Sequence, residues 1–192
     1  MPSFNSSDTA AAVALPPVTL VLGGARSGKS AHAERLIERA TGPGLYLATA
    51  EPGDAEMAAR IQRHRDRRGN RWATLEVPLE LADALMSEAR PERPVLVDCL
   101  TLWLGNLIEA GRDPAAERVR LTEALAKVAG PVVLVSNEVG LGVVPDNALA
   151  RRFRDEAGRL NQEVAEVAHR VLFLAAGLAM VLKDGRTGGG GP

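Results

Sequence analysis

Gly23, Gly28, Lys29 and Ser30 are spaced as G-x-x-x-x-G-K-[ST] within VTLVLGGARSGKS, residues 18–30. That spacing is the signature of a loop that cradles phosphate. Its glycines let the backbone curl until successive N–H groups point at phosphate oxygens, and the helix that follows adds the positive end of its dipole. Lys29 is placed to reach the β- and γ-phosphates of a nucleoside triphosphate, and the Ser30 hydroxyl to ligate the Mg2+ that accompanies them. A glycine-rich turn that merely contains Gly-Lys-Ser is the alternative. The apolar strand-like run before the loop and the helix-forming AHAERLIERA after it argue for nucleotide binding.

A second set of reactive residues lies in DAEMAARIQRHRDRRGNRW, residues 54–72. His64 is surrounded there by Arg60, Arg63, Arg65, Arg67, Arg68 and Arg71, a local excess in a chain of net charge −1. Guanidinium groups suit a polyphosphate partner, although basic residues near a helix C-terminus also complement its dipole. Neighbouring cations disfavour the imidazolium form, so His64 is expected to be neutral near pH 7. A neutral imidazole beside a clamped phosphate can act as general base, as nucleophile on phosphorus, or as a phosphate contact. The residues alone leave those roles open, together with plain solvation at a helix end.

Asp98 closes the apolar run PVLVD, where an acidic residue commonly completes the Mg2+ site of a phosphate-loop protein. Capping of the helix that starts around Cys99 to Thr101 is the other role, and the two are compatible. Further on, SNEVGLGVVPDN (residues 136–147) follows an apolar run. Ligands of open α/β sheets bind beyond the carboxyl ends of the strands, so this loop is expected to border the site through Asn137 and Glu138. Asp146 or Asn147 serves as N-cap of the next helix. His32 falls in the first turns of the phosphate-loop helix, facing solvent or substrate, and His169 at the end of the long helix, where a cation suits the dipole.

These residues need a scaffold, and the hydrophobic pattern supplies one. Apolar runs recur at 18–22, 45–49, 94–98, 132–137 and 170–175, with a shorter one at 179–183. Near-continuous runs of this kind are how strands buried on both faces read. Helix-compatible stretches separate them, at roughly 29–40, 54–68, 79–90, 100–110, 115–129 and 147–169. The last has the clearest period: Leu149, Phe153, Ala157, Leu160, Val164 and Val167 form one apolar stripe, with Arg151, Arg152, Arg154, Asp155, Glu156 and Arg159 off it. Strands alternating with helices predict an α/β fold with a parallel sheet and helices on both faces.

Bulk properties narrow the function classes. With 192 residues the chain is long enough for one domain with a full core. Residues 1–16 read as a disordered leader, 17–183 as a single catalytic domain and 184–192 as a flexible tail. The near-neutral charge gives no global attraction to nucleic acid or anionic membrane. An aromatic content of 3% argues against a base-stacking channel. The longest apolar run, 171–182, is too short to span a bilayer. A lone cysteine, Cys99, fits a reducing cytoplasm and reads as a small buried residue.

Taken together, GGARSGKS, EMAARIQRHR, VDCLTLWLGNL and SNEVGLGVVPDNALARRFRDEAGRLNQ, in this order and spacing, resemble the adenosylcobinamide kinase / adenosylcobinamide-phosphate guanylyltransferase family of cobalamin biosynthesis. The resemblance covers residues 18–183. It implies a RecA-like phosphate-loop NTPase fold, Mg2+, GTP or ATP as substrates, a corrinoid acceptor and a homotrimer. It also implies two reactions: phosphorylation of the aminopropanol hydroxyl of adenosylcobinamide, then transfer of GMP from GTP to that phosphate through a covalent GMP–histidine. The family's R-I-x-x-H-[RK] motif matches Arg60 to Arg65 and assigns the nucleophile to His64. Nucleotide contacts carry over to Gly23, Gly24, Ala25, Arg26, Ser27, Gly28, Lys29 and Ser30, to Ala48, Thr49 and Ala50, to Arg65, Asp66, Arg67 and Arg68, and to Glu76 and Asp98. Ser30 and Asp98 carry the metal.

Three other readings compete, of which a nucleic-acid motor on a RecA-like core is disfavoured by the single basic cluster and the low aromatic content. A plain small-molecule kinase would use the same loop without guanylyl transfer. A GTP-dependent switch is disfavoured, because guanine-specific switches carry Asn-Lys-x-Asp after a strand and this chain has Ser136-Asn137-Glu138-Val139.

Overall fold

The computed structural model describes residues 15–39, 44–50, 53, 62, 66 and 72–185. The chain order is β1 (Val18–Gly23), α1 (Lys29–Glu38), β2 (Gly44–Ala48), β3 (Trp72–Glu76), α2 (Leu81–Glu88), β4 (Val95–Asp98), α3 (Leu100–Glu109), α4 (Pro114–Leu125), β5 (Val132–Val135), α5 (Ala148–Val167), β6 (Arg170–Ala175) and β7 (Leu178–Asp184). Of the predicted helix over 54–68 only Gln62 and Asp66 are described, both helical; His64 and its arginines lie outside the described residues, as do residues 1–14 and 186–192.

Seven strands make one sheet in the order β3-β2-β4-β5-β1-β6-β7. Every pairing is parallel except β6 with β7. The central strands are buried along their length, and successive side chains enter opposite layers. Val18, Leu20, Leu22, Val95, Val97, Val132 and Leu134 join the larger core with α2, α3, α4 and α5. Val21, Leu96, Val133 and Val135 face the smaller core, where Ala33 and Ile37 of α1 pack. Helices therefore cover both faces, as the pattern of apolar runs predicts. No helix among the described residues is long and apolar enough to cross a membrane.

Three local expectations are corrected. Trp72–Glu76 forms edge strand β3, which the run analysis does not detect because the segment WATLE is mostly exposed and has no continuous apolar stretch. Leu149 is 64% exposed and leaves the apolar stripe of α5, whereas Ala157, Leu160 and Val164 are buried as read. The helix ends at Val167, so His169 is not in its last turn; its N–H instead donates to Val18 O and leads the chain into β6. Among the charged residues off the stripe, Glu156 is drawn into an ion pair with Arg118, a buried arginine of α4 that also pairs with Glu163. The longest apolar run is a hairpin, broken by a turn at Ala176 and Gly177, both with positive φ.

Candidate functional site

The site is assembled at the carboxyl end of the sheet. β1 stops at Gly23, whose φ of 150° is open to glycine and strained for other residues. A Cβ there would lie 2.4 Å from Leu174 O and 2.8 Å from Ser27 Oγ. Gly28, with φ of 96°, precedes α1 and gives its N-terminus no side-chain cap. The first turn also lacks an acidic residue, so the positive helix end is left to whatever anion the loop receives. Lys29 is buried, and its Nζ donates to Gly24 O at 2.5 Å and lies 3.5 Å from Ser27 Oγ. The β6–β7 turn braces the loop from outside, with Gly177 N–H donating to Ser27 O at 3.0 Å.

Strand register lines up the next group. Ala48 pairs with Glu76 on one side and Asp98 on the other, so three adjacent strands end in one row. Glu76 is exposed and Asp98 half-buried, facing the same edge as the phosphate loop. Cys99, not Asp98, occupies the N-cap position of α3, and its side chain makes no capping bond. The Asp98 carboxylate instead accepts from the Tyr46 hydroxyl at 2.8 Å. The capping role is therefore not the one the carboxylate plays.

Behind that row runs a network of buried polar groups. Thr49 Oγ1 accepts from Cys99 N–H and donates to Cys99 O, both at 2.8 Å. Asn106 Nδ2 donates to Thr49 O at 2.7 Å and to Pro78 O at 3.1 Å, which ties α3 to two strand ends. Asn137 Nδ2 donates to Thr101 Oγ1 at 2.8 Å. Asn161 of α5 accepts from Ser136 Oγ at 2.6 Å and donates to Asn137 O at 3.1 Å. Glu138 N–H reaches Gly23 O at 3.0 Å, joining the segment after β5 to the first glycine of the phosphate loop. Asn147 caps α5 through Ala150 N–H.

Two of the titratable groups with perturbed pKa lie on the elements around the site. Burial, and then the neighbouring Asp98 charge, push the Cys99 thiol above its ordinary pKa, so it remains a protonated structural group. Burial holds His32 below the ordinary imidazole value, with Arg35 and Arg39 adding to the effect.

The structure places the sequence-predicted Gly23 to Ser30, Ala48, Thr49, Ala50, Glu76 and Asp98 at or just beyond the carboxyl ends of parallel strands, with β5 between the phosphate loop and Asp98 and three strands between the loop and Glu76. Asp66 is exposed and accepts from Gln62 Nε2 at 2.8 Å; His64, Arg65, Arg67 and Arg68 lie outside the described residues. Tyr46, Asn106, Asn161 and Gly177 were missed. Each acts through a partner far away in sequence, and no local signal marks them.

A hard cation needs oxygen ligands, and the Ser30 hydroxyl and Asp98 carboxylate are of that kind. No group of three or more His, Cys, Asp or Glu side chains among the described residues could hold a metal alone. That is compatible with Mg2+, which characteristically takes one or two protein oxygens and completes its shell with phosphate and water. The residues present fit the ion.

Comparison with known proteins adds the chemistry. Residues 19–182 match the family model described as cobinamide kinase / cobinamide phosphate guanyltransferase. The bifunctional adenosylcobalamin biosynthesis protein CobP of Pseudomonas aeruginosa is 54% identical over 167 residues, covering 85% of this chain and 96% of its own. The bifunctional adenosylcobalamin biosynthesis protein CobU of Salmonella typhimurium is 43% identical over 179 residues, covering 85% and 98%. Among solved structures, the RadB recombinase superposes with a TM-score of 0.51 at 16% identity, covering 83% of this chain and 74% of its own. The flagellar accessory protein FlaH of Methanocaldococcus jannaschii gives 0.51 at 12% identity, covering 89% and 80%. Those two likenesses speak for the fold alone, a RecA-like phosphate-loop α/β sheet.

Proposed function

This chain belongs to the cobinamide kinase / cobinamide phosphate guanyltransferase family, and on that premise we propose that it performs both reactions with His64 as a covalent relay. In the first, a nucleoside triphosphate bound by Gly23 to Ser30 donates its γ-phosphoryl group to the aminopropanol hydroxyl of adenosylcobinamide. In the second, the neutral imidazole of His64 attacks the α-phosphorus of GTP. A P–N bond forms, the bond to pyrophosphate breaks, and pyrophosphate leaves. An oxygen of adenosylcobinamide phosphate then attacks the same phosphorus, the P–N bond breaks, and adenosylcobinamide-GDP is released with His64 regenerated.

The observation that carries this reading is the alignment of two strand ends, β1 running into the phosphate loop and β4, across the single strand β5, ending at Asp98. It offers both a phosphate cradle and a half-buried carboxylate at the same end of the sheet. Lys29 and the N-terminus of α1 neutralise phosphate charge, and Ser30 with Asp98 would hold Mg2+. When bound, the ion supplies further charge neutralisation on the phosphates. Arg65, Arg67 and Arg68 are assigned to the same task near His64, and Asp66 and Glu76 to contacts with the guanine nucleotide. The catalytic unit is taken as residues 17–183, working in the cytoplasm as a homotrimer.

The decisive experiment is incubation with α-³²P-GTP and Mg2+, followed by denaturation and a stability test of the label. Acid-labile, base-stable label that vanishes in His64→Ala is the expected outcome. Absence of covalent label where GTP demonstrably binds would leave a plain kinase and remove the nucleophile.

A further inference from the structure

We propose that the loop of residues 138–144, with the groove beneath it, is the surface that receives the corrin ring of the acceptor; this rests on the reading above, which makes a cobinamide that acceptor. The sequence pattern SNEVGLGVVPDN is absorbed by neither the phosphate loop nor the histidine relay, yet the structure builds it with care. Its start is pinned by the bond from Glu138 N–H to Gly23 O at 3.0 Å, and Glu138 Oε1 accepts from Gly140 N–H at 2.6 Å. Its far end is held by the Arg151 guanidinium, which donates to Pro145 O at 3.0 Å and Asp146 O at 2.7 Å.

Between those anchors the chain turns its aliphatic groups outward. Leu141, Val143 and Val144 are 82%, 95% and 61% exposed. Surface loops are ordinarily polar, and a cluster of exposed aliphatic side chains beside a catalytic loop marks a binding surface. A groove of about 540 Å³ opens under the tip, lined by Leu22, Glu138, Leu141, Gln162, Leu182 and Lys183. That volume lies in the range of small-molecule clefts and suits one edge of a larger ligand. Glu138, which lines the groove, is bonded through its N–H to Gly23 O, so the loop end of the groove lies next to the first glycine of the phosphate loop.

The acceptor's chemistry matches this arrangement. A cobinamide is a broad ring with methyl groups on its rim, carboxamide arms and one arm ending in the hydroxyl that is phosphorylated. Its apolar rim packs on Leu141, Val143 and Val144, carboxamides reach Gln162 and Glu138, and the hydroxyl arm runs inward past Leu22 to the phosphate loop. A ligand held this way leaves the nucleotide bound separately, so the two affinities are independent.

The test is a Leu141→Asp/Val143→Asp variant of the full chain, assayed as a kinase with adenosylcobinamide and nucleotide. KM for adenosylcobinamide is expected to rise by about tenfold or more, because each new carboxylate must be desolvated against an apolar rim. KM for the nucleotide stays near the wild-type value, and Leu141→Met/Val143→Ile restores the corrinoid KM. Met86→Asp, an equal charge at an exposed position of α2, leaves both constants alone. An unchanged corrinoid KM, or equal rises in both constants, overturns the proposal. So does a fall in the particle mass by light scattering that accounts for the rise, which would make the loop a contact between copies of the chain. Wild-type protein that binds GTP but turns over no adenosylcobinamide would overturn the functional reading first, and this proposal with it.

Discussion

The Tyr46 hydroxyl donates a 2.8 Å hydrogen bond to Asp98 Oδ2, across two neighbouring strands. Tyr46 is itself buried, its ring edge-on to Trp72 with centroids 6.4 Å apart. The edge strand β3 thereby steadies the carboxylate assigned to the metal. In Tyr46→Phe the packing survives and the bond is lost, so stability should fall by about 1 kcal/mol in urea unfolding. The Mg2+ concentration for half-maximal kinase rate should rise several-fold. An unchanged Mg2+ requirement would show that Tyr46 does not position Asp98.

Gly23 and Gly24 are neighbours with opposite tolerance. A Cβ on Gly23 meets backbone at 2.4 Å, whereas one on Gly24 meets nothing within 4 Å. Gly23→Ala should therefore cost about 2–4 kcal/mol in denaturant unfolding, and Gly24→Ala less than about 0.5 kcal/mol. Equal effects would mean that the β1 end yields more easily than its contacts imply.

Lys29→Ala removes the ammonium assigned above to the phosphates while leaving the sheet intact. On the proposed mechanism both reactions draw on that charge, so kcat/KM should drop by about 10²–10³ for phosphorylation, with a comparable loss of GMP labelling. Loss of only one activity would mean that the two reactions use different nucleotide sites.

His32 sets a pH dependence. Its folded pKa lies below the ordinary value of 6.5, so below that pH the unfolded chain binds more protons than the folded one. Stability contributed by neutral His32 is present above about pH 6.5 and is lost as pH falls towards the folded pKa. His32→Gln should flatten that part of a melting-temperature profile between pH 7 and pH 5. An unaltered profile would assign the acid sensitivity to other groups.

Cys99 is the single cysteine of the chain, buried and with its thiol pKa raised. A thiol-specific disulfide reagent should leave the native protein unlabelled and titrate one equivalent in denaturant. Fast labelling of the native protein would contradict the packing around α3.

The strand–loop–helix from Val18 to Glu38 is legible in the sequence because its determinants are local: a buried apolar run, glycines where φ is positive, and a helix period. The same holds for β4, β5, α3 and the stripe from Ala157 to Val164. The family and its phosphate chemistry follow from contiguous motifs. What the tertiary structure decided is everything that depends on partners distant in the chain. β3 is visible only through its pairing with β2, because an exposed edge strand needs no continuous apolar run. Leu149 fits the helical period, yet it is 64% exposed and no element among the described residues covers it. The Tyr46–Asp98 bond, the Asn161 bridge to Ser136 and Asn137, and the brace from Gly177 to Ser27 depend on strand order and register. A residue's type states which bonds it is able to make; only the fold, by closing loops of tens of residues, states which partner it meets.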